Sequence, residues 1–88
     1  MAAKKSRYVA LIEANAQCGD PASMELLSRR YFSGKGVDQS FEKSYYWSTI
    51  ALNMGVTYLS GMNQFALTKL NKEEKTSVEA DLERWPDH

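Results

Sequence analysis

The sequence predicts an all-α domain, a short α-α solenoid of about five antiparallel helices. Apolar residues recur at spacings of three and four along most of the chain, as they do on one face of a helix. No stretch alternates apolar and polar residues between hairpin turns, so we expect no strands. The chain has 88 residues, enough for one small domain, which we take to span residues 1–88.

Capping residues and a glycine delimit the first two helices. Residues 6–18 contain neither Pro nor Gly and are followed by Gly19, a residue typical of the position just after a helix. Asp20 and Pro21 then supply an N-cap and a first-turn residue for a second helix, which runs to about residue 32. The turn between these helices is short, which favours packing of one against the other.

The remaining three helices also begin at capping residues. Ser40 is expected to cap a third helix over 41–54, and Thr57 a fourth over about 58–70. Asn71 begins a fifth helix with an acidic residue three positions later, a variant of the capping box. A proline close to the end of the sequence terminates this helix.

The composition argues against several classes of function. The 11 basic and 11 acidic residues give a net charge of zero, whereas a nucleic-acid binder needs an excess of cations for its phosphate contacts. No stretch approaches the ~20 apolar residues of a membrane span. One cysteine cannot form an internal disulfide, and no export signal is recognisable, so we expect a cytoplasmic protein. We expect that cysteine, Cys18, to fill a small apolar space in the core.

The residue types of catalytic and metal sites are sparse. Cys18 and His88 are too few to hold a zinc ion, which takes about four ligands. The Gly-Lys-Gly segment at 34–36 lacks the spacing and the preceding strand of a phosphate-binding loop. The adjacent carboxylates Glu73 and Glu74 stand at a helix start, where they favour the helix dipole. We therefore expect no enzymatic activity, no metal and no cofactor.

A repeated unit accounts for the order of the helices. Gly19 and Gly55 lie 36 residues apart, and each ends one helix shortly before another begins. The stretch between them resembles the Sel-one-like repeat, a relative of the tetratricopeptide repeat. The resemblance rests on Gly19-Asp20, Leu27, Tyr31, Gly34-Lys35-Gly36-Val37, Glu42-Lys43-Ser44, Trp47, Ala51 and Gly55.

The resemblance implies one full repeat over about 19–54, a partial repeat over 6–18 and a degenerate C-terminal capping pair over 57–85. Three small residues replace the family's Ala, Gly and Ala, and two residues of the closing pair replace its Leu and Tyr. These departures are Ser23, Ser28, Ser44, Asn63 and Leu67. Small residues let helix axes approach closely, so the three serines preserve the physical role of the positions they occupy.

Repeats of this kind present a concave groove lined by the first helix of each pair. The resemblance therefore implies a non-enzymatic protein-binding module, either a small adaptor or an inhibitor or immunity-type binder of one protein partner. The groove positions carried over are Glu25, Arg29, Phe32, Tyr58, Phe65 and Lys69. Aromatic and charged side chains on one helical face suit the capture of a peptide. The alternative is that the three aromatic residues belong to the core.

A second surface leaves a different function open. The helix over 41–54 is apolar almost all round, and Tyr46 and Ile50 are hard to bury with only five helices. They predict an alternative interface, which would make the chain a homodimer or a self-associating structural building block. Residues 1–70 carry a net charge of +3 and residues 71–88 one of −3, so we expect a polar last helix that caps the solenoid.

Overall fold

The computed structural model describes residues 4–86 and is helical throughout its regular parts. Across this range no strand forms, although Lys5 and Val37 make an isolated antiparallel bridge. A 3-10 turn over Thr57–Leu59 precedes the fourth helix. The helices are α1 (Arg7–Gln17), α2 (Pro21–Ser33), α3 (Phe41–Asn53), α4 (Ser60–Thr68) and α5 (Lys72–Arg84). The all-α fold class predicted from the sequence is confirmed.

Side chains cap the helices where the sequence places capping residues. The Asp20 carboxylate accepts a hydrogen bond from the backbone N–H of Ser23, and the Ser40 hydroxyl accepts one from that of Lys43. Asn71 forms a complete capping box at the start of α5, because its side chain and that of the acidic residue three positions on both bond the backbone. These three predicted helix starts are confirmed.

The start of α4 differs from the prediction that Thr57 caps a helix from about 58. Thr57 instead begins the 3-10 turn, and no side chain caps either that turn or α4. The turn brings Leu59 into the core, where it is almost completely buried. Burial of this leucine fixes the path of the chain, and the regular helix begins only at Ser60.

The third helix is the centre of the molecule. It packs against α2, α4 and α5, whereas α1 packs chiefly on α2. Sequential helices therefore pack on one another from α1 to α4, but α5 packs chiefly on α3 rather than on α4. The rings of Trp47 on α3 and Trp85 after α5 meet edge to face, with centroids 5.6 Å apart.

Small and large side chains alternate in the core. Ser23, Ser28 and Ser44 are all buried, and so are the large side chains of Tyr31 and Trp47. A serine adds little volume between two helices, which leaves room for an aromatic ring at the next position along the contact. The main hydrophobic cluster of buried residues comprises Val9, Ile12, Ala16, Met24, Leu27, Tyr31, Val37, Trp47, Ile50, Ala51 and Leu59. Ala66, Leu70 and Val78 are also buried.

The position of Cys18 corrects the prediction that it fills a space in the core. Cys18 is exposed at the end of α1. The buried face of α1 is formed by Val9, Ile12 and Ala16. Cys18 lies after the last turn and off this face, so its side chain points away from the other helices. None of the described helices has the length and apolar character needed to cross a membrane.

Gly36 lies where the loop after α2 crosses the start of α1. Its φ is +79°, and its carbonyl accepts a hydrogen bond of 2.7 Å from the backbone N–H of Ser6. A Cβ on Gly36 would lie 2.9 Å from the Ser6 hydroxyl oxygen. We expect Gly36→Ala to lower the free energy of unfolding by about 1–3 kcal/mol, measured by urea denaturation, because it adds this clash to an unfavourable φ.

Gly61 supplies the matched control for this prediction. It lies within α4, and a Cβ there would meet no atom within 4 Å. Gly61→Ala should raise the free energy of unfolding by about 0.5–1 kcal/mol, because alanine favours the helix. Equal stability of the Gly36→Ala variant and the unmodified protein would contradict the close approach of this loop to α1.

Candidate functional site

The groove positions predicted from the sequence lie together on one surface. The Tyr58 hydroxyl donates a hydrogen bond of 2.6 Å to Glu25, and the rings of Phe32 and Phe65 have centroids 5.5 Å apart. Both contacts join α2 to the segment that contains α4, and they are seven residues apart in each. Equal spacing in the same chain direction means that these two segments run side by side and parallel.

A cationic side chain lies at each end of this surface. Arg29 forms an ion pair of 3.2 Å with Glu25 one turn earlier on α2, through the carboxylate oxygen that Tyr58 does not use. The Lys69 ammonium lies 5.1 Å from the centroid of the Phe65 ring. The hydrogen bond to Glu25 raises the pKa of the Tyr58 phenol above its usual range. The six predicted residues therefore form two contacting groups of three, Glu25 with Arg29 and Tyr58, and Phe65 with Phe32 and Lys69.

The aromatic residues of this surface differ in exposure. Tyr58 is 68% exposed and Phe65 is 48% exposed, whereas Phe32 is half-buried. Phe32 also touches the ring of Phe41 at the start of α3, with centroids 5.5 Å apart. The alternative that all three predicted aromatic residues belong to the core is thus wrong for Tyr58 and Phe65. Phe32 anchors the exposed rings to the body of the protein.

A shallow recess of about 430 Å³ opens between the two parallel segments. It is lined by Arg29, Phe32, Ser33 and Met62. The sequence-based set of site residues omits Met62, although its spacing from Tyr58 and Phe65 places it on the same helical face. We name the whole surface the α2–α4 surface, formed by Glu25, Arg29, Phe32, Tyr58, Met62, Phe65 and Lys69.

Tyr46 and Ile50, the alternative interface predicted from the sequence, are less exposed in the structure than expected. Ile50 is only 3% exposed and belongs to the core. Tyr46 is half-buried, with its ring 5.0 Å from that of Trp47 and 6.5 Å from that of Trp85. Burial raises the pKa of the Tyr46 phenol. Trp85 after α5 lies against Tyr46, and the local sequence of α3 carries no signal for the packing of α5 on α3.

A second cavity, of about 280 Å³, lies between α1, α3 and α5. Three carboxylates line it, and two of them are engaged within the protein: Glu13 accepts a bond of 2.7 Å from Lys5, and Asp81 pairs with Arg84. Within residues 4–86, no three His, Cys, Asp or Glu side chains come close enough to hold a metal ion. His88, which with Cys18 is too few to form a zinc site, lies outside the described residues.

Comparisons of the chain with protein-family models, with curated proteins and with solved structures found no match. What this protein binds must therefore be inferred from the chemistry of its own surfaces.

Proposed function

We propose that this chain is a non-enzymatic protein-binding module that captures a peptide segment of one protein partner on its α2–α4 surface. In this role it acts either as a small adaptor or as an inhibitor or immunity-type binder. The observation that carries the proposal is the pair of contacts, Glu25 with Tyr58 and Phe32 with Phe65, which align two parallel helical segments. The alignment leaves two aromatic rings exposed beside cationic side chains.

The chemistry of this surface matches that of residues that dominate protein interfaces. Tyrosine and arginine are enriched among the side chains that contribute most to binding energy. Arg29 lines the recess beside Phe32 and Met62, so the recess combines an apolar floor with a guanidinium at its edge. A peptide that places an apolar side chain in the recess and a carboxylate near Arg29 or Lys69 would satisfy both features.

The resemblance to the Sel-one-like repeat supports the same proposal from the sequence side. In that family the first helices of successive pairs form the binding groove, and α2 and α4 are the helices that correspond to them here. We include in the proposal one such repeat over about 19–54 and a cytoplasmic location. Self-association through Tyr46 and Ile50 loses its motivation, because Ile50 is buried.

Paired variants test the α2–α4 surface. In affinity capture from the native cell with mass spectrometry, we expect Arg29→Ala with Phe65→Ala to reduce recovery of the specific partner by about 10- to 100-fold, since each truncation removes a side chain suited to a binding hot spot. Arg29 is exposed and Phe65 is nearly half exposed. The variant should therefore keep the circular dichroism spectrum of the folded protein.

The matched control removes the same kinds of side chain elsewhere. Lys75→Ala with Met54→Ala also deletes one cationic and one exposed apolar side chain, but outside the α2–α4 surface and away from α1. This control should capture the partner as well as the unmodified protein does. Recovery of the same partners by the α2–α4 variant, or their loss in the Lys75 and Met54 control alone, would refute the proposal.

A further inference from the structure

A second exposed apolar surface lies on the seam between α1 and α2. Leu11 is 61% exposed, and Tyr8 is 45% exposed one turn earlier on the same helix. The Arg30 guanidinium lies 4.7 Å from the centroid of the Tyr8 ring, which joins this face of α1 to α2. Leu26, one turn before Arg30 on α2, is also exposed. We name these four residues the α1–α2 seam.

The internal repeat indicates what kind of element fits against the seam. The 36-residue offset that places Gly19 on Gly55 relates three exposed positions of α1 to three buried positions of α3. The pairs are Tyr8 with Ser44, Leu11 with Trp47, and Asn15 with Ala51. Helix α3 is covered by α2 and by α4, whereas α1 packs chiefly on α2. The uncovered face of α1 thus corresponds to a face that is buried on α3, and the elements that pack on α3 are chiefly the helices α2, α4 and α5.

The charge beside the seam indicates the chemistry of that helix. Arg7 and Arg30 flank the apolar side chains, and neither forms an ion pair with another residue in the range 4–86. The two glutamates of α1 and α2, Glu13 and Glu25, are already paired with Lys5 and Arg29. The seam therefore presents apolar groups with uncompensated positive charge at their border.

A second copy of this chain does not complement the seam. A two-fold contact would bring Arg7 and Arg30 of both copies close together, and like charges in an interface oppose association. A head-to-tail contact would need an exposed apolar face elsewhere on the molecule. The α2–α4 surface offers one, but its Arg29 and Lys69 would meet the cations of the seam. Among the residues that the structure describes, α5 exposes no large apolar side chain. The occupant is therefore a different protein.

We propose that the α1–α2 seam binds an amphipathic helix of a partner protein, with carboxylates on both borders of its apolar face. By the same 36-residue offset, Tyr8 corresponds to the smaller Ser44, and Leu11 corresponds to the larger Trp47. The bound helix therefore carries small residues opposite Tyr8 and larger ones opposite Leu11. This surface is separate from the α2–α4 surface. The seam and the groove can therefore be tested, and can fail, independently.

Three synthetic helical peptides of about 14 residues test the proposal. They share one leucine-and-alanine face, bordered by glutamate, by glutamine or by lysine, and binding is measured by fluorescence anisotropy at low salt. The glutamate peptide should bind at least about tenfold more tightly than the lysine peptide, with the glutamine peptide between them. Arg30→Glu should largely abolish this difference, because the remaining Arg7 is then offset by the new carboxylate. Leu11→Glu should weaken all three, while Phe65→Ala should change none.

Three results would overturn the proposal. The first is equal binding of the glutamate and lysine peptides, which would remove the role of charge. The second is a dimer in sedimentation equilibrium that Leu11→Glu converts to a monomer, which would assign the seam to a second copy. The third is binding to phosphatidylserine vesicles without binding to any peptide. Circular dichroism checks that each variant is folded, and Arg30→Glu gives the charge test should Leu11→Glu unfold.

Discussion

Replacement of Trp47 by alanine is expected to lower the free energy of unfolding by about 3–5 kcal/mol. Trp47 is only 5% exposed and lies between Tyr46 and Trp85, with ring centroids 5.0 Å and 5.6 Å away. Truncation would leave a cavity where α3 meets α5, and the two remaining rings would lose their edge-to-face partner. A domain of this length has a total stability of roughly 4–13 kcal/mol, so this loss is a large fraction of the total.

Urea denaturation followed by far-ultraviolet circular dichroism measures this loss. Tyr58→Ala is the control, because it removes another aromatic side chain from a site that is largely exposed. That control should change the free energy of unfolding by less than about 0.5 kcal/mol. A loss below about 1 kcal/mol for Trp47→Ala would contradict the packing of α5 on α3, since no tightly packed site would tolerate so large a deletion.

The helices and their ends follow from local signals, which is why the sequence predicts them. A cap such as Asp20 or Asn71 acts on backbone groups three residues away, so its effect is fully encoded nearby. The 3-10 turn before α4 follows instead from the burial of Leu59 among other helices. Cys18 shows the same limit, because residue type favours burial while its place beyond the last turn of α1 exposes it.

The candidate site residues likewise fall into two groups, those that local spacing predicts and those whose exposure depends on distant contacts. The positions on α2 and α4 could be predicted because helical spacing fixes which side chains share a face, and the repeat indicates which faces are neighbours. Met62 could have been included by the same spacing. The half-burial of Tyr46 depends on where α5 docks, and that position depends on contacts between residues distant in sequence. No period or cap in the sequence of α3 encodes such a contact.

Asn63→Asp should lower the free energy of unfolding by about 3 kcal/mol at pH 7 and by clearly less near pH 4. Asn63 is buried, and its amide donates hydrogen bonds of 2.8 Å to Ser48 and 2.9 Å to Thr49. A carboxylate cannot donate these bonds, and Ser48 already donates its own proton to the carbonyl of Tyr45. Burial would therefore raise the pKa of the new carboxyl group in the folded state.

The direction of the pH dependence follows from that raised pKa. Below the unfolded-state pKa of about 3.9 the group is protonated in both states, and the charge penalty is absent. As the pH rises through the higher folded-state pKa, the unfolded chain ionises more easily and the variant loses stability. Asn63→Leu is the matched control, because it has a similar volume and no titratable group. Urea titrations of both variants and the unmodified protein at pH 4 and pH 7 isolate the effect. A stability difference between Asn63→Asp and the unmodified protein that does not change with pH would show that residue 63 is accessible to water.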